Sequence, residues 1–436
     1  MERQEVELLG IGAGPANLAL AVALEEMAGD DLAGSALLIE QHDDIVWQRG
    51  MLLPWTQSQV SFIKDLVTLR NPRSEYSFIN YLHSNGRLDE FANLGSFTPY
   101  RVEISNYLRW VAGSLRRVGI EHGRRCASIT PVTDEDGTVR RWSVRTADGG
   151  EIVCRDLVIG MGRDPHIPDE IATLPRDRVV HSTEFVTRMA ELDRDATRRV
   201  VVVGAAQSAA EMFWAAHRDL PGAQVTMVMR AIGLNAYETS RFTNELFYPS
   251  FVDEFHASLP EAREQLLREM HRTNYAGLAP GMLDTLYREM YQQRLAGDER
   301  LHMITMTDIV DARMDGEEVV LTLLDRKSQR TSTFRCDLVL LGTGFVRTMP
   351  RLARDLAEAA GMGGATVDRN YRMNLPPGYT AGCYLQGVNE ATHGIADSLL
   401  SVLAARSQEI VTDLLAHRQA EAAETSGAPA LALNGR

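Results

Sequence analysis

Residues 5–17 read EVELLGIGAGPAN, and they decide the fold. EVELLG has strand character and runs into a glycine turn, Gly12-x-Gly14. The turn opens onto LALAVALEEM at 18–27, whose apolar spacing is helical. Strand, glycine turn and helix in that order are the context of a dinucleotide fingerprint. Gly12 would allow the tight turn, and Gly14 would let the backbone approach a pyrophosphate seated on the helix N-terminus. Asn17 stands where a third glycine is usual. The next strand, SALLIE, ends at Glu40, 26 residues after Gly14, where an acid can accept ribose hydroxyls. A glycine turn alone is a weak signal; the strand, the helix and Glu40 together point to a dinucleotide site.

The same grammar recurs at 198–213, RRVVVVGAAQSAAEMF. Here the turn is Gly204-x-Ala206-x-x-Ala209, with alanine in place of the second glycine. The following strand, AQVTMVM, ends at Arg230. An arginine in the usual place of the acid suits a 2′-phosphate, so NADP is expected over NAD. Two more strands leave through glycines, Gly160-x-Gly162 and Gly342-x-Gly344, which would close strands onto a cofactor or mark domain crossovers.

The rest of the chain fits a two-nucleotide α/β protein. Its 436 residues imply two or three domains. With 45 Lys+Arg against 59 Asp+Glu the net charge is −14, which argues against non-specific nucleic-acid binding. The four cysteines form no CxxC, which fits reduced thiols and gives no metal-site signal. No apolar run reaches the ~20 residues of a membrane span. MERQEVELLGIG lacks the pattern of a signal peptide, so a cytoplasmic protein is expected. The expected fold is α/β, with two Rossmann-like dinucleotide-binding domains and a small helical insert. The expected parse is a first domain at 1–165 and 336–415, a second at 166–232 and 301–335, helices at 233–300 and a disordered tail at 416–436.

Several phrases resemble the microbial N-hydroxylating flavin monooxygenases. These are GIGAGPANLALAVALEE, GMLLPWTQSQVSFIKDLVTLRNP, VVGAAQSAAE, FTNELFYPSFVDEF, TNYAG and NEATHGIADSLLSVLAARS. The likeness is closest to the L-ornithine N5-monooxygenases of hydroxamate siderophore pathways, with the L-lysine N6-hydroxylases as near relatives. It runs from about residue 5 to about residue 415. Two positions depart from the pattern: Gln48 where many members carry histidine, and Ala206 for glycine.

The resemblance implies FAD in the first domain, NADPH in the second, and O2 and a small-molecule amine as co-substrates. A C4a-hydroperoxyflavin would pass its distal oxygen to the deprotonated side-chain amine. The flavin carries the hard chemistry and the protein binds, orients and excludes water. Gln59 is then expected by the flavin and Lys64 at the amino acid's carboxylate. Asn244 and Asn274 would line the substrate pocket, with Asn274 and Gln59 closest to the chemistry. Ser398 would stand near the amine end. Further cofactor contacts are expected from Pro15, Asn17, Gln41, Trp47, Gln207, Ser208 and Leu400. His393 is expected to be structural, and Arg70 and Arg101 to be surface or inter-domain charges. Family members are often tetramers, so a homo-oligomer is expected. A disulfide reductase would need a CxxC near the flavin and is excluded. L-Lysine, a diamine or another primary amine stands as the alternative substrate.

Overall fold

Each of the two glycine turns opens a sheet of its own, the first mixed and the second wholly parallel. In the computed structural model, residues 3–195, 198–238 and 240–426 are described. β1 (Arg3–Ile11) leads through the first turn into α1 (Pro15–Met27), and β2 (Ala36–Ile39) lies parallel to β1. Proline opens α1, where its missing N–H leaves no hydrogen bond unmade. Further along come α2 (Arg101–Ser114) and β3 (Glu151–Ile159). The sheet runs Gly119–Glu121, β2, β1, β3, Val139–Thr146, Cys126–Thr133, the last two joining as antiparallel strands.

The second turn joins β4 (Arg199–Val203) to α3 (Gln207–Asp219), and β5 (Gln224–Val228) follows. The helical insert contributes α4 (Pro260–Asn274) and α5 (Pro280–Ala296), and β6 (Leu338–Leu341) returns to the sheet. The order is Leu301–Ile304, β5, β4, β6, Val179–His181, all parallel. Such strands are covered on both faces, which is why RVVVV is a continuous apolar run. α3 covers one face with Met212, Phe213 and Ala216. A three-stranded antiparallel sheet covers the other, with Val319 and Leu321 against Val201, Val228 and Val339.

Last, β7 (Cys383–Leu385) rejoins the first sheet beside β3, and α6 (Leu403–Ser426) packs Ile410, Val411 and Leu414 into the core that holds α1.

Two boundaries differ from expectation. The strand expected to reopen the first domain at 336 is β6, paired between β4 and Val179–His181 in the second sheet. Gly342-x-Gly344 therefore marks the exit from the second sheet, as Gly160-x-Gly162 marks the exit from the first. The two exits run side by side: His166 N–H donates to Gly344 O at 2.9 Å, and Val346 N–H to Asp164 O at 2.9 Å. The tail expected from 416 continues as helix to Ser426, anchored where Arg418 reaches Asp156 on β3 and Glu7 on β1. The rest of that expected tail, 427–436, lies outside the described residues.

The units are welded by the segment after Trp47. Gly50 lies so close to the backbone of Thr183 that a side chain would collide with it, and Met51 and Leu53 are buried in the second unit's core. Among the described residues no helix is long and apolar enough to cross a membrane.

Candidate active site

The first turn is built to receive an anion. Gly12 has φ +87°, a left-handed conformation that favours glycine. A Cβ on Gly14 would meet nothing within 4 Å, so the space in front of the turn is open. No side chain caps the N-terminus of α1, which leaves its first N–H groups for a ligand. Glu40 accepts the Ala13 N–H at 2.9 Å and the His42 N–H at 3.1 Å, which fixes the acid at the end of β2. Asn17 is fully buried and faces inward. Its NH2 donates to Ile11 O at 3.0 Å and Gly12 O at 2.8 Å, and its oxygen accepts from Gln386 at 2.9 Å. Gly160 packs directly on this amide. Asn17 thus holds the turn closed from behind, between β1 and the returning C-terminal segment. Gln41 is exposed beside Glu40, and Trp47 is partly buried against the first core. These features fit the pyrophosphate and ribose of an adenine dinucleotide.

The second turn closes differently. Gly204 has φ +136°, and a Cβ there would sit 2.5 Å from Gly342 O. Gly342 in turn presses on Ala209, so the close approach of helix to strand is made by the glycine that follows β6. Ala206 caps α3 in extended conformation, again with no side-chain cap. Ser208 is partly buried in the helix's first turn. Gly204 N–H donates to Val228 O, so Arg230, exposed just beyond β5, stands at the neighbouring strand end where a nucleotide 2′ group would fall.

Between the turns lies a chain of polar groups. Arg101 opens α2 and makes two 2.7 Å hydrogen bonds to Glu211 on α3. Both side chains are buried, Arg101 at 6% and Glu211 at 1% exposure, so this is an inter-unit pair and not a surface one. Burial pushes the Glu211 carboxyl up, and the Arg101 guanidinium opposes that shift. Gln207 donates to Glu211 at 2.8 Å and accepts from Ala279 N–H at 2.9 Å, where α5 begins. Gln59 donates to the same Gln207 oxygen at 3.3 Å.

Three segments meet around Lys64, where the amine pocket is expected. Lys64 is half-buried, and no carboxylate of the described residues lies within 4 Å of it. Its ammonium donates to Ser401 Oγ at 3.2 Å, and burial lowers its pKa. Leu400 lines the same small cavity. Asn274 ends α4, and its neighbour Tyr275 donates its hydroxyl to Glu390 at 3.0 Å and shares a 2.8 Å hydrogen bond with Ser398. Just after Asn244, Leu246 and Phe247 pack with Met270, Ile395, Ala396 and Val402. The ends carrying Asn244 and Asn274 are therefore drawn onto the 395–402 segment that meets Lys64. Ser398 and Ser401 take separate roles: the first bonds Tyr275, the second bonds Lys64. His393 is 1% exposed, with one ring nitrogen 2.9 Å from Thr392 Oγ1 and the other 3.1 Å from Arg369 O. Burial pulls its pKa down to about 4, so it is a neutral packing residue near pH 7. No group of three His, Cys, Asp or Glu among the described residues is placed to hold a metal.

Known proteins share this fold. The sequence profile of the L-lysine 6-monooxygenase/L-ornithine 5-monooxygenase family matches residues 4–347. The chain belongs to that family. An L-ornithine N(5)-monooxygenase of Pseudomonas aeruginosa is 37% identical over 419 residues, covering 94% of each chain. The solved ornithine hydroxylase from Pseudomonas aeruginosa superposes with a TM-score of 0.88 at 36% identity, over 95% of this chain and 100% of its own. An ornithine N-hydroxylase of Kutzneria sp. 744, solved with reduced FAD, NADP+ and L-ornithine, also superposes at 0.88, with 32% identity over 95% of this chain and 100% of its own. The family expected from the QVSFIKDLVTLRNP and ATHGIADSLLS phrases is the family found, on the expected two-unit α/β fold.

Sequence reasoning had no role for Ser401 or Glu211. Glu211 did leave a signal: it is a lone carboxylate in the small and apolar run AAEMFWAA, and a buried carboxylate needs a partner. Lys64 carries a second signal. It and Lys327 are the chain's two lysines among 45 basic residues. Where arginine serves almost everywhere else, a compact and mobile point charge stands at this one inward position.

Proposed function

We propose that the protein uses FAD, NADPH and O2 to N-hydroxylate the side-chain amine of L-ornithine. The product is the hydroxylamine precursor that hydroxamate siderophores require. FAD, reduced by NADPH, supplies the oxygen-activating chemistry when bound. The first turn with Glu40 would hold its pyrophosphate and ribose, and the second turn with Arg230 would hold NADPH. The chain's own residues then deliver the amine. Lys64 takes the α-carboxylate, Asn244 offers its carbonyl oxygen to the α-ammonium, and Asn274 accepts from the side-chain amine and holds it aligned.

The observation that carries this reading is Lys64. A half-buried ammonium held by one hydroxyl and facing no carboxylate is a site waiting for an anion. An amino acid supplies one and a diamine does not. L-Lysine is the second reading, because the family includes L-lysine 6-monooxygenases and the substrates differ by one methylene, worth only about 1–3 kcal/mol of discrimination.

The test is an amine panel scored by hydroxylamine product, since NADPH oxidation alone also counts wasted peroxide. Ornithine should give the largest kcat/KM. Replacing Lys64 by alanine should raise KM for ornithine by about 10- to 100-fold, the worth of a hydrogen bond between charged groups, and leave a diamine nearly unaffected. Amine-directed labelling gives a direct readout. Ornithine should shield Lys64 and leave the more exposed Lys327 unprotected. Equal labelling of Lys64 with and without ornithine would remove it from the carboxylate site.

A further inference from the structure

A side-chain amide has nearly the same outline at either end, so its direction must come from its partners. Glu211 is held by Arg101 through two 2.7 Å hydrogen bonds, and an ionised carboxylate only accepts. The end of Gln207 that meets Glu211 at 2.8 Å is therefore its NH2. The other end meets the Ala279 backbone N–H at 2.9 Å, which only donates, and is therefore the carbonyl oxygen. These two constraints come from opposite sides and agree. Gln59 then has one orientation left. It lies 3.3 Å from the Gln207 oxygen, so its NH2 turns there and its own carbonyl oxygen points away from the second turn.

The backbone closes this chain into a ring. Ser58 N–H donates to Pro99 O at 2.8 Å, and Arg101 N–H to Thr56 O at 2.9 Å. Gln59 and Arg101, the two ends of the side-chain relay, are thus mounted on one paired stretch of the first unit. Gln207 and Glu211 belong to the second unit, and Ala279 to the insert.

We infer that Arg101, Glu211 and Gln207 are positioning residues that set the direction of the Gln59 amide, so that bound FAD meets a hydrogen-bond acceptor at Gln59 and not a donor. This rests on the reading of Gln59 as a flavin-side residue. An acceptor there favours the reduced ring, which gains an N–H, over the oxidised ring, which offers a lone pair at the same nitrogen. The relay thereby couples the seating of the two units and the insert to the readiness of the flavin to be reduced.

The experiment uses the purified FAD-loaded protein with neither nucleotide nor amine. The midpoint potential of the bound FAD and its visible circular dichroism are measured for wild type, Glu211→Gln, Gln59→Leu and the double variant. Glu211→Gln keeps the shape but removes the group that forces the direction of Gln207. It should move the potential to a more negative value and alter the visible spectrum. In the Gln59→Leu background the same change should do neither, because the relay acts through Gln59. If Glu211→Gln does not fold, the pair Arg101→Met with Glu211→Met keeps the interface packed without a buried unpaired charge and takes its place. An unshifted potential, or a shift that persists undiminished in the Gln59→Leu background, overturns the inference. Wild type that carries no FAD breaks the reading of function, and the relay with it. Wild type that carries FAD but makes no hydroxylamine breaks the substrate reading alone.

Discussion

The two glycine turns solve one geometric problem with different residues. Both must bring a helix N-terminus and a strand end close to a dinucleotide. In the first turn the small residue is where the ligand goes: Gly14 faces open space, while bulk is tolerated behind it because Asn17 bonds to Ile11 O, Gly12 O and Gln386. In the second turn the small residues face the protein: Gly204 and Gly342 are pressed together with Ala209, while Ala206 stands at the position that Gly14 holds in the first turn. A glycine in such a motif can therefore serve the ligand or the fold, and the spacing alone does not say which.

The largest effect should separate those uses. Gly204→Ala forces a Cβ to 2.5 Å from Gly342 O at φ +136°. Strain and collision should together cost about 3 kcal/mol or more, enough to lower the melting temperature by several degrees or leave the chain insoluble. Gly14→Ala, at φ −74° with nothing near, should melt like wild type and lose FAD on purification. Equal melting of both variants would erase the distinction between a fold glycine and a ligand glycine.

Asn17→Leu comes next. Leucine is of similar size but leaves Gly12 O and the Gln386 NH2 without a partner in a buried place, and leaves Ile11 O with the Gly160 N–H alone. The cost should be about 2–4 kcal/mol in denaturant unfolding, read as a lower midpoint. Ala209→Ser, at the matching position of the second turn, should cost far less, because no such network hangs on it. A leucine variant as stable as wild type would mean that Asn17 merely fills space.

The strands and turns were legible because their signals are local. Alternation, a glycine and a helical repeat all sit within about twenty residues of one another. What was not legible is non-local. Arg101 and Glu211 are 110 residues apart, and Lys64 meets Ser401 across 337. Gly342-x-Gly344 reads in sequence as a strand exit onto a cofactor or a domain crossover, and a G-x-G exit looks alike from either side of a crossover. Only the pairing of β6 with β4 shows which sheet it leaves. Ser398 and Ser401 are one tight turn apart, so a family phrase locates the segment but not which hydroxyl faces the lysine.

The smallest effect tests the methyl of Ala206. Ala206 has φ −104° and ψ −176°, an extended conformation open to any residue, so it is not there to satisfy the backbone. Glycine is also a better helix N-cap than alanine, so Ala206→Gly should be neutral in stability or better by a few tenths of a kcal/mol. Its effect should fall on the nucleotide. Removing the methyl at the position that Gly14 holds in the first turn should let the backbone N–H groups approach the pyrophosphate, and about 0.5–1 kcal/mol of binding is the scale of such a contact, a two- to five-fold tighter Kd for NADPH. Titration of the oxidised protein with NADP+ would measure it without turnover. The gain should appear equally for NAD+, because the pyrophosphate is common to both, so the NADP+ to NAD+ ratio should hold still while each Kd falls. A changed ratio would mean that the methyl acts on Arg230 and the 2′ end. Unchanged constants would mean that the second turn, unlike the first, does not use its middle residue to touch the ligand at all.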